Sequence, residues 1–260
     1  MLPAVGTGGL AGWRLLQRTT DRQLASLAHD PQVARERARF EAGAAAYASA
    51  EALVGDYGML KVALTAFGLE ADLPNKAFLR KVLESDLTDP KSLANRLSDK
   101  RYRQFAETFG LGGETPPPPP AAIARKVSGL YLQREFERRV GEADANLRLA
   151  MNAERDLALM AGRAGSDRTK WFEVMGTPPL RQVMEGALGL PKETVRMPID
   201  RQADLFAAAA ERRFGIRGFG DLATPAARQG LIDAFLARAS LQTSPATGQW
   251  SAALTILRGG

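Results

Sequence analysis

Apolar residues recur at spacings of three and four along most of this chain, and nowhere is there sustained two-residue alternation rich in β-branched side chains. That periodicity predicts helices and no sheet, so the expected fold class is all-α. Leu10, Trp13, Leu16, Thr20, Leu24 and Leu27 put one apolar seam along an N-terminal helix. Asp30-Pro31 then reads as an N-cap and a first helical position, opening a second helix through Val33, Arg37 and Phe40 toward Tyr47.

Two later stretches read as degraded copies of one unit. Leu60-Lys-Val-Ala-Leu64-Thr-Ala66-Phe67-Gly68-Leu69 and Leu180-Arg-Gln-Val183-Met184-Glu-Gly-Ala187-Leu188-Gly189-Leu190 each end an amphipathic run on Gly-Leu. Each meets an apolar-Pro pair soon afterwards, Leu73-Pro74 or Met197-Pro198, and a further helical pattern follows. Asp99 in one copy and Thr224-Pro225 in the other then start a closing helix. Asp89-Pro90 repeats the cap signature and predicts a short helix over Lys91–Leu97. The copies diverge where Asn75-Lys76-Ala77-Phe78 becomes Ile199-Asp200-Arg201-Gln202.

Between the copies, Gly112-Gly113-Glu114-Thr115 and five prolines, Pro116 to Pro120, leave the helical pattern and favour a stiff polyproline II spacer. From Ala121 to about Arg163 no proline occurs, and Phe136, Val140, Ala143, Leu147 and Ala150 trace one seam. This predicts a long central helix, on the order of 60 Å for about 40 residues, with a mostly paired and solvated charged face. Glu135 with Arg139, Arg138 with Glu142 and Asp144 with Arg148 stand four apart and supply the pairs. The expected organisation is N-terminal helices over 1–48, a first helical repeat over 49–111 and a Gly/Pro linker over 112–120. The central helix over 121–164, a second repeat over 165–241 and a C-terminal tail over 242–260 complete it. The two repeats are thus joined by the polyproline spacer and the central helix.

Composition narrows the chemistry more than it suggests any. The 260 residues contain no cysteine and one histidine, His29. Disulfides, thiolate nucleophiles and zinc–thiolate sites are excluded together, and a His-rich metal site cannot be assembled. His29 precedes the Asp30-Pro31 cap and reads as an inter-helix residue rather than a general base. Gly6-Thr-Gly8-Gly9-Leu-Ala-Gly12 lacks the preceding strand that a dinucleotide fingerprint needs. Glu84, Asp86 and Asp89 lack the ligand order of a calcium loop. No cofactor or metal is implied.

Lysine and arginine exceed aspartate and glutamate by 35 to 29, for a net charge of +6, but the cations are dispersed among acids. Lys76, Arg80 and Lys81 are the densest basic group, and they read as flanking a core of Phe67, Phe78 and Val82 rather than as a nucleic-acid patch. No apolar run is long enough to span a membrane, and Arg14 interrupts the position where a signal peptide's apolar core would lie. Asn75, Asp89, Asn95 and Asp99 are candidate structural anchors: the asparagines as buried residues bonding to backbone, the aspartates as caps.

Several blocks together resemble the bacterial family called Domain of Unknown Function 1217. They are Gly12-Trp13-Arg14, Ala66-Phe67-Gly68-Leu69, Asn75-Lys76-Ala77-Phe78-Leu79-Arg80-Lys81-Val82-Leu83-Glu84 and Thr88-Asp89-Pro90-Lys91-Ser92-Leu93-Ala94-Asn95-Arg96-Leu97, continuing in Asp99-Lys100-Arg101-Tyr102, Lys170-Trp171-Phe172 and Met175-Gly176-Thr177-Pro178-Pro179-Leu180-Arg181. The resemblance implies a helical, mostly alphaproteobacterial protein encoded among flagellar genes, with no assigned activity and no catalytic residues to carry over.

Three classes of function remain, in this order: a non-catalytic interaction or structural protein of the flagellar system, a basic helical nucleic-acid binder or regulator, and an enzyme. A protein partner, possibly flagellar, is expected, together with self-association through the termini; a nucleic-acid partner ranks below these. The candidate surface is Leu10, Trp13, Leu16 and Leu24 at one end, and Trp250, Leu254 and Leu257, which share a helical face, at the other; the alternative is that each terminal helix docks on its own domain, with Trp13, like Trp171, in the core. The expected location is the cytoplasm, or the exterior by a flagellar-type export route without a cleaved signal.

Overall fold

The structure is a computed structural model that describes residues 2–43, 49–114 and 116–243. Among these residues it is all-helical, with thirteen α-helices and short 3-10 turns. The chain divides into two compact units, Met1–Ala4 with Leu16–Glu142, and Val5–Leu15 with Ala143–Gly260. The division falls within α1 (Gly9–Ala28) and again where α8 (Pro120–Ala143) gives way to α9 (Ala145–Gly162).

In the first unit α2 (Pro31–Ala42), α3 (Ala50–Gly55), α5 (Lys76–Leu83), α6 (Leu93–Arg96) and α7 (Lys100–Phe109) accompany α4 (Tyr57–Phe67). Helix α4 is buried on nearly every side, from Met59 through Phe67 apart from Lys61, because its sequence is apolar all round. The Phe105 ring meets Phe67 and Phe109 edge to face, with centroids 5.5 and 5.2 Å apart. In the second unit α11 (Pro178–Leu188) and α13 (Pro225–Thr243) pack on α9, while α10 (Asp167–Gly176) and α12 (Ile199–Phe214) pack on each other and on α11. Trp171 sits between Phe219 and Phe206, at 4.8 and 5.9 Å.

Local chemistry accounts for most helix ends. Asp30 accepts the N–H groups of Gln32 and Val33, and Asp99 accepts that of Arg101. Both Gly-Leu pairs end their helices in the same way. Gly68 and Gly189 take the left-handed conformation, φ +70° and +61°, which a β-carbon would penalise. The N–H of the leucine that follows then reaches back to Leu64 or Glu185, at 2.9 Å in both cases. That bond pattern satisfies carbonyls left open at the end of a helix.

Three expectations need correction. The long central helix is two helices, α8 and α9, broken at Asp144. There the backbone turns extended (φ −151°, ψ 106°), and the carboxylate, expected to pair with Arg148, caps Asn146 and Leu147 instead. The five prolines lie within the first unit, where Pro120 opens α8, and not between the two units. The helix expected over Lys91–Leu97 shrinks to Leu93–Arg96, since Asp89 caps only the turn through Lys91 N–H at 2.8 Å.

Candidate functional site

The predicted N-terminal surface is interior. Trp13 and Leu16 are 5 % and 1 % exposed, and Leu10 and Leu24 are half-buried. The Trp13 indole donates to Gln229 at 3.3 Å, and Gly12 lies tight against the Val5 carbonyl and the Leu147 side chain. Trp13 and Leu16 are therefore covered by their own chain. Trp250, Leu254 and Leu257 lie outside the described residues.

The anchors divide. Asn95 donates to the carbonyls of Leu87 and Asp89 at 3.0 and 2.8 Å, fixing the loop before α6, although it is half-buried rather than buried. Asp99 caps α7 and also binds the Arg101 guanidinium. Asn75 is a correction: it is exposed and bonds the Asp72 side chain at 2.9 Å, because its place at the start of α5 faces solvent. His29 is exposed, with Nδ1 2.8 Å from the Ala25 carbonyl oxygen, one turn back.

The richest polar cluster runs along α8, and its burial was not expected. Glu135, Glu137 and Arg139 are buried, so this face is not solvated. Arg139 donates to Glu135 at 2.8 Å and to Asp30 at 3.0 Å, joining α8 to the capping carboxylate of α2. Arg138 binds the same Glu135 at 2.7 Å and reaches Glu142. One turn earlier the Tyr131 hydroxyl donates to Glu36, whose other oxygen accepts Lys61 at 2.8 Å. Ser128 donates to Glu41 at 2.6 Å while accepting from Arg37 at 2.9 Å.

The electrostatics follow from these bonds. Arg139 holds the Asp30 carboxyl well below the usual carboxylate range, aided by the Val33 N–H. Burial pushes Glu36 and Glu135 upward, but hydrogen bonds from Lys61 and Tyr131 in one case, and from Arg138 and Arg139 in the other, leave both lowered. Burial and the neighbouring Glu36 push the Tyr131 phenol up, and burial with Asp72 pushes Tyr102 up to about 12. These groups are therefore driven away from neutrality, the reverse of tuning for proton transfer near pH 7.

Many other cations serve the backbone. Arg101 donates to the Gly68 carbonyl, and Arg238 to those of Gly186 and Ala187 at 3.0 and 2.6 Å. Arg228 binds the Leu222 and Ala223 carbonyls and Glu154, while Lys100 closes the end of α6 on Asn95 and Leu97. Arg238 and Lys100 thus direct their charge at backbone carbonyls, while Arg101 and Arg228 each serve carbonyls and a carboxylate together. Among the described residues no cluster of histidine, cysteine, aspartate and glutamate has metal-binding geometry, and no helix is long and apolar enough to cross a membrane.

Sequence reasoning missed two features. The Arg139–Asp30 bond joins residues 109 positions apart, and no local spacing signals it. In the second unit Val195, Met197 and Ile199 stand exposed in alternation, and the divergence of Ile199–Gln202 from Asn75–Phe78 was the available signal.

The all-helical fold described above agrees with the comparisons with known proteins. The family described as "Protein of unknown function (DUF1217)" matches residues 66–227, more than half of the chain, and this protein belongs to that family. It is similar to a protein from Agrobacterium tumefaciens whose X-ray crystal structure was solved as a structural-genomics target. The two share 26 % identity and a TM-score of 0.73, over 94 % of this chain and 99 % of that one. No curated protein matches the chain.

Proposed function

We propose that this protein is a non-catalytic interaction or structural component of the bacterial flagellar system, acting as an assembly accessory or as a secreted component. It works in the cytoplasm or leaves it by a flagellar-type route without a cleaved signal. The observation that carries the non-catalytic half is the α8 network. Its acids are bound into pairs that favour the ionised form and its tyrosine into one that favours the protonated form, which suits rigidity rather than turnover. The flagellar half rests on the family resemblance. We also infer that the helical repeats over 49–111 and 165–241 are degenerate copies of one unit, a reading supported by the matching caps at Gly68 and Gly189.

A nucleic-acid binder has less support. On α5, Arg80 is neutralised by Glu84 at 2.7 Å, and Phe67 beside this cluster is buried rather than free to stack. The test is a deletion strain scored for swimming in soft agar, with the protein sought in culture medium and purified flagella. Impaired swimming restored by the wild-type gene is expected; normal swimming with no protein in either fraction counts against the reading.

A further inference from the structure

Residues 191–201, in the second unit, connect α11 to α12 through the 3-10 turn Lys192–Arg196, and of these residues only Thr194 is buried. Val195, Met197 and Ile199 are 59 %, 38 % and 56 % exposed. Three apolar side chains in water at alternate positions would ordinarily collapse inward if the segment were free to do so. The segment is braced. Gln202, itself buried, donates Nε2 to the Val195 and Met197 carbonyls at 3.3 and 2.7 Å, and its Oε1 accepts Arg181 at 2.8 Å. Pro191 and Pro198 restrict the backbone on either side. The backbone that carries Val195 and Met197 is thus already held in place, which lowers the ordering cost of association.

The first unit handles the corresponding position differently. Where the second unit has Gln202 the first has Phe78, which is half-buried and meets the Tyr102 ring at 5.2 Å, and Leu73 is half-buried as well. The exposed strip therefore belongs to the second unit's own sequence.

Charge indicates the occupant. Lys192, Arg196 and Arg201 are exposed and form no ion pair among the described residues. Asp200 shares Arg168 with Asp204, at 2.9 and 2.8 Å, so within residues 191–201 the three cations outnumber the two acids, Glu193 and Asp200, and one of those acids is partly neutralised. We propose that Val195, Met197 and Ile199, rimmed by Lys192, Arg196 and Arg201, form a docking surface for an acidic amphipathic segment of a partner protein. Its apolar residues would cover the strip while its carboxylates meet the three cations. This rests on the interaction-protein reading and adds the site and the partner's chemistry.

The test uses the full chain and a fluorescein-labelled helical peptide with leucines on one face and glutamates on the other, followed by anisotropy. A second peptide carries lysines in place of the glutamates. The glutamate peptide should bind. Binding should weaken at least about tenfold with Ile199→Asp, and likewise with Arg196→Glu and Arg201→Glu combined. The lysine peptide should bind poorly, and should gain on the charge-reversed variant. Because the changed side chains are exposed, circular dichroism and melting should stay as in the wild type; Ile199→Ser replaces Ile199→Asp if the latter does not fold.

Equal binding of both peptides, or wild-type affinity in the variants, overturns the proposal. So does preferential uptake by phosphatidylglycerol vesicles, which makes the occupant a membrane, or self-association abolished by Ile199→Asp, which makes it a second copy. Full rescue of a swimming defect by the variants removes this surface while leaving the flagellar role intact. A deletion strain that swims normally removes that role, whatever the peptides do.

Discussion

Asp144 holds Gly9 by one carboxylate oxygen while capping its own helix with the other. Oδ2 accepts the Gly9 N–H at 2.9 Å where α1 begins, and Oδ1 accepts the N–H groups of Asn146 and Leu147 at 2.8 and 3.2 Å where α9 begins. A single acid thus serves the positive ends of two helices 135 residues apart in sequence.

Replacing Asp144 with alanine should therefore cost more than an ordinary cap, about 2 kcal/mol or somewhat above. Asp144→Asn keeps one carbonyl oxygen but loses the second acceptor, so it should fall between alanine and wild type. Urea unfolding of the three proteins checks the order.

Arg139→Met leaves buried Glu135 with Arg138 alone and removes the α8 bond to Asp30. A loss on the order of 2–3 kcal/mol is expected from the buried polar groups left short of partners. Adding Glu135→Leu should recover part of it, since removing both charges is better tolerated than removing one. A double-mutant cycle from denaturant midpoints tests this.

Stability should fall at both ends of the pH scale. Asp30, Glu36 and Glu135 are held below their unfolded values, so the folded state binds fewer protons there. Their contribution is complete above pH of about 4–5 and is lost as pH drops through the folded values. Tyr102 and Tyr131 are raised, so their contribution is complete below about pH 10 and declines as pH rises toward the folded values. Urea midpoints from pH 3 to 11 should show a plateau with two falling limbs, and Tyr131→Phe should flatten the alkaline one.

Gly68→Ala and Gly189→Ala should each destabilise the protein by roughly 1–2 kcal/mol, because alanine resists positive φ. Arg101 and Arg213 side-chain atoms, 3.3 and 3.2 Å from where the new methyl would sit, must also give way. Gly129→Ala, within α8 and with nothing within 4 Å of an added methyl, is the control and should be neutral or stabilising. Thermal melts of the three variants decide it.

Caps and turns were legible from the chain because their physics is confined to a few neighbouring residues. Asp30-Pro31, Asp99, Gly68-Leu69 and Gly189-Leu190 each complete their hydrogen bonds within about five positions. Helix class was legible for the same reason, since period and propensity are local. Where signals compete locally, reading fails: Asp144 was four residues from Arg148, but the open N–H groups of a new helix claimed its carboxylate. What lay beyond reach was the face each helix turns inward. Glu135 and Arg139 look like a solvated pair until Asp30 arrives from 109 residues away, and Trp13 looks free until Gln229 receives its indole N–H. Likewise, Val195, Met197 and Ile199 are ordinary core residues by composition. The brace from Gln202 to the Val195 and Met197 carbonyls fixes the backbone that carries them, and such a brace exists only once the chain has folded.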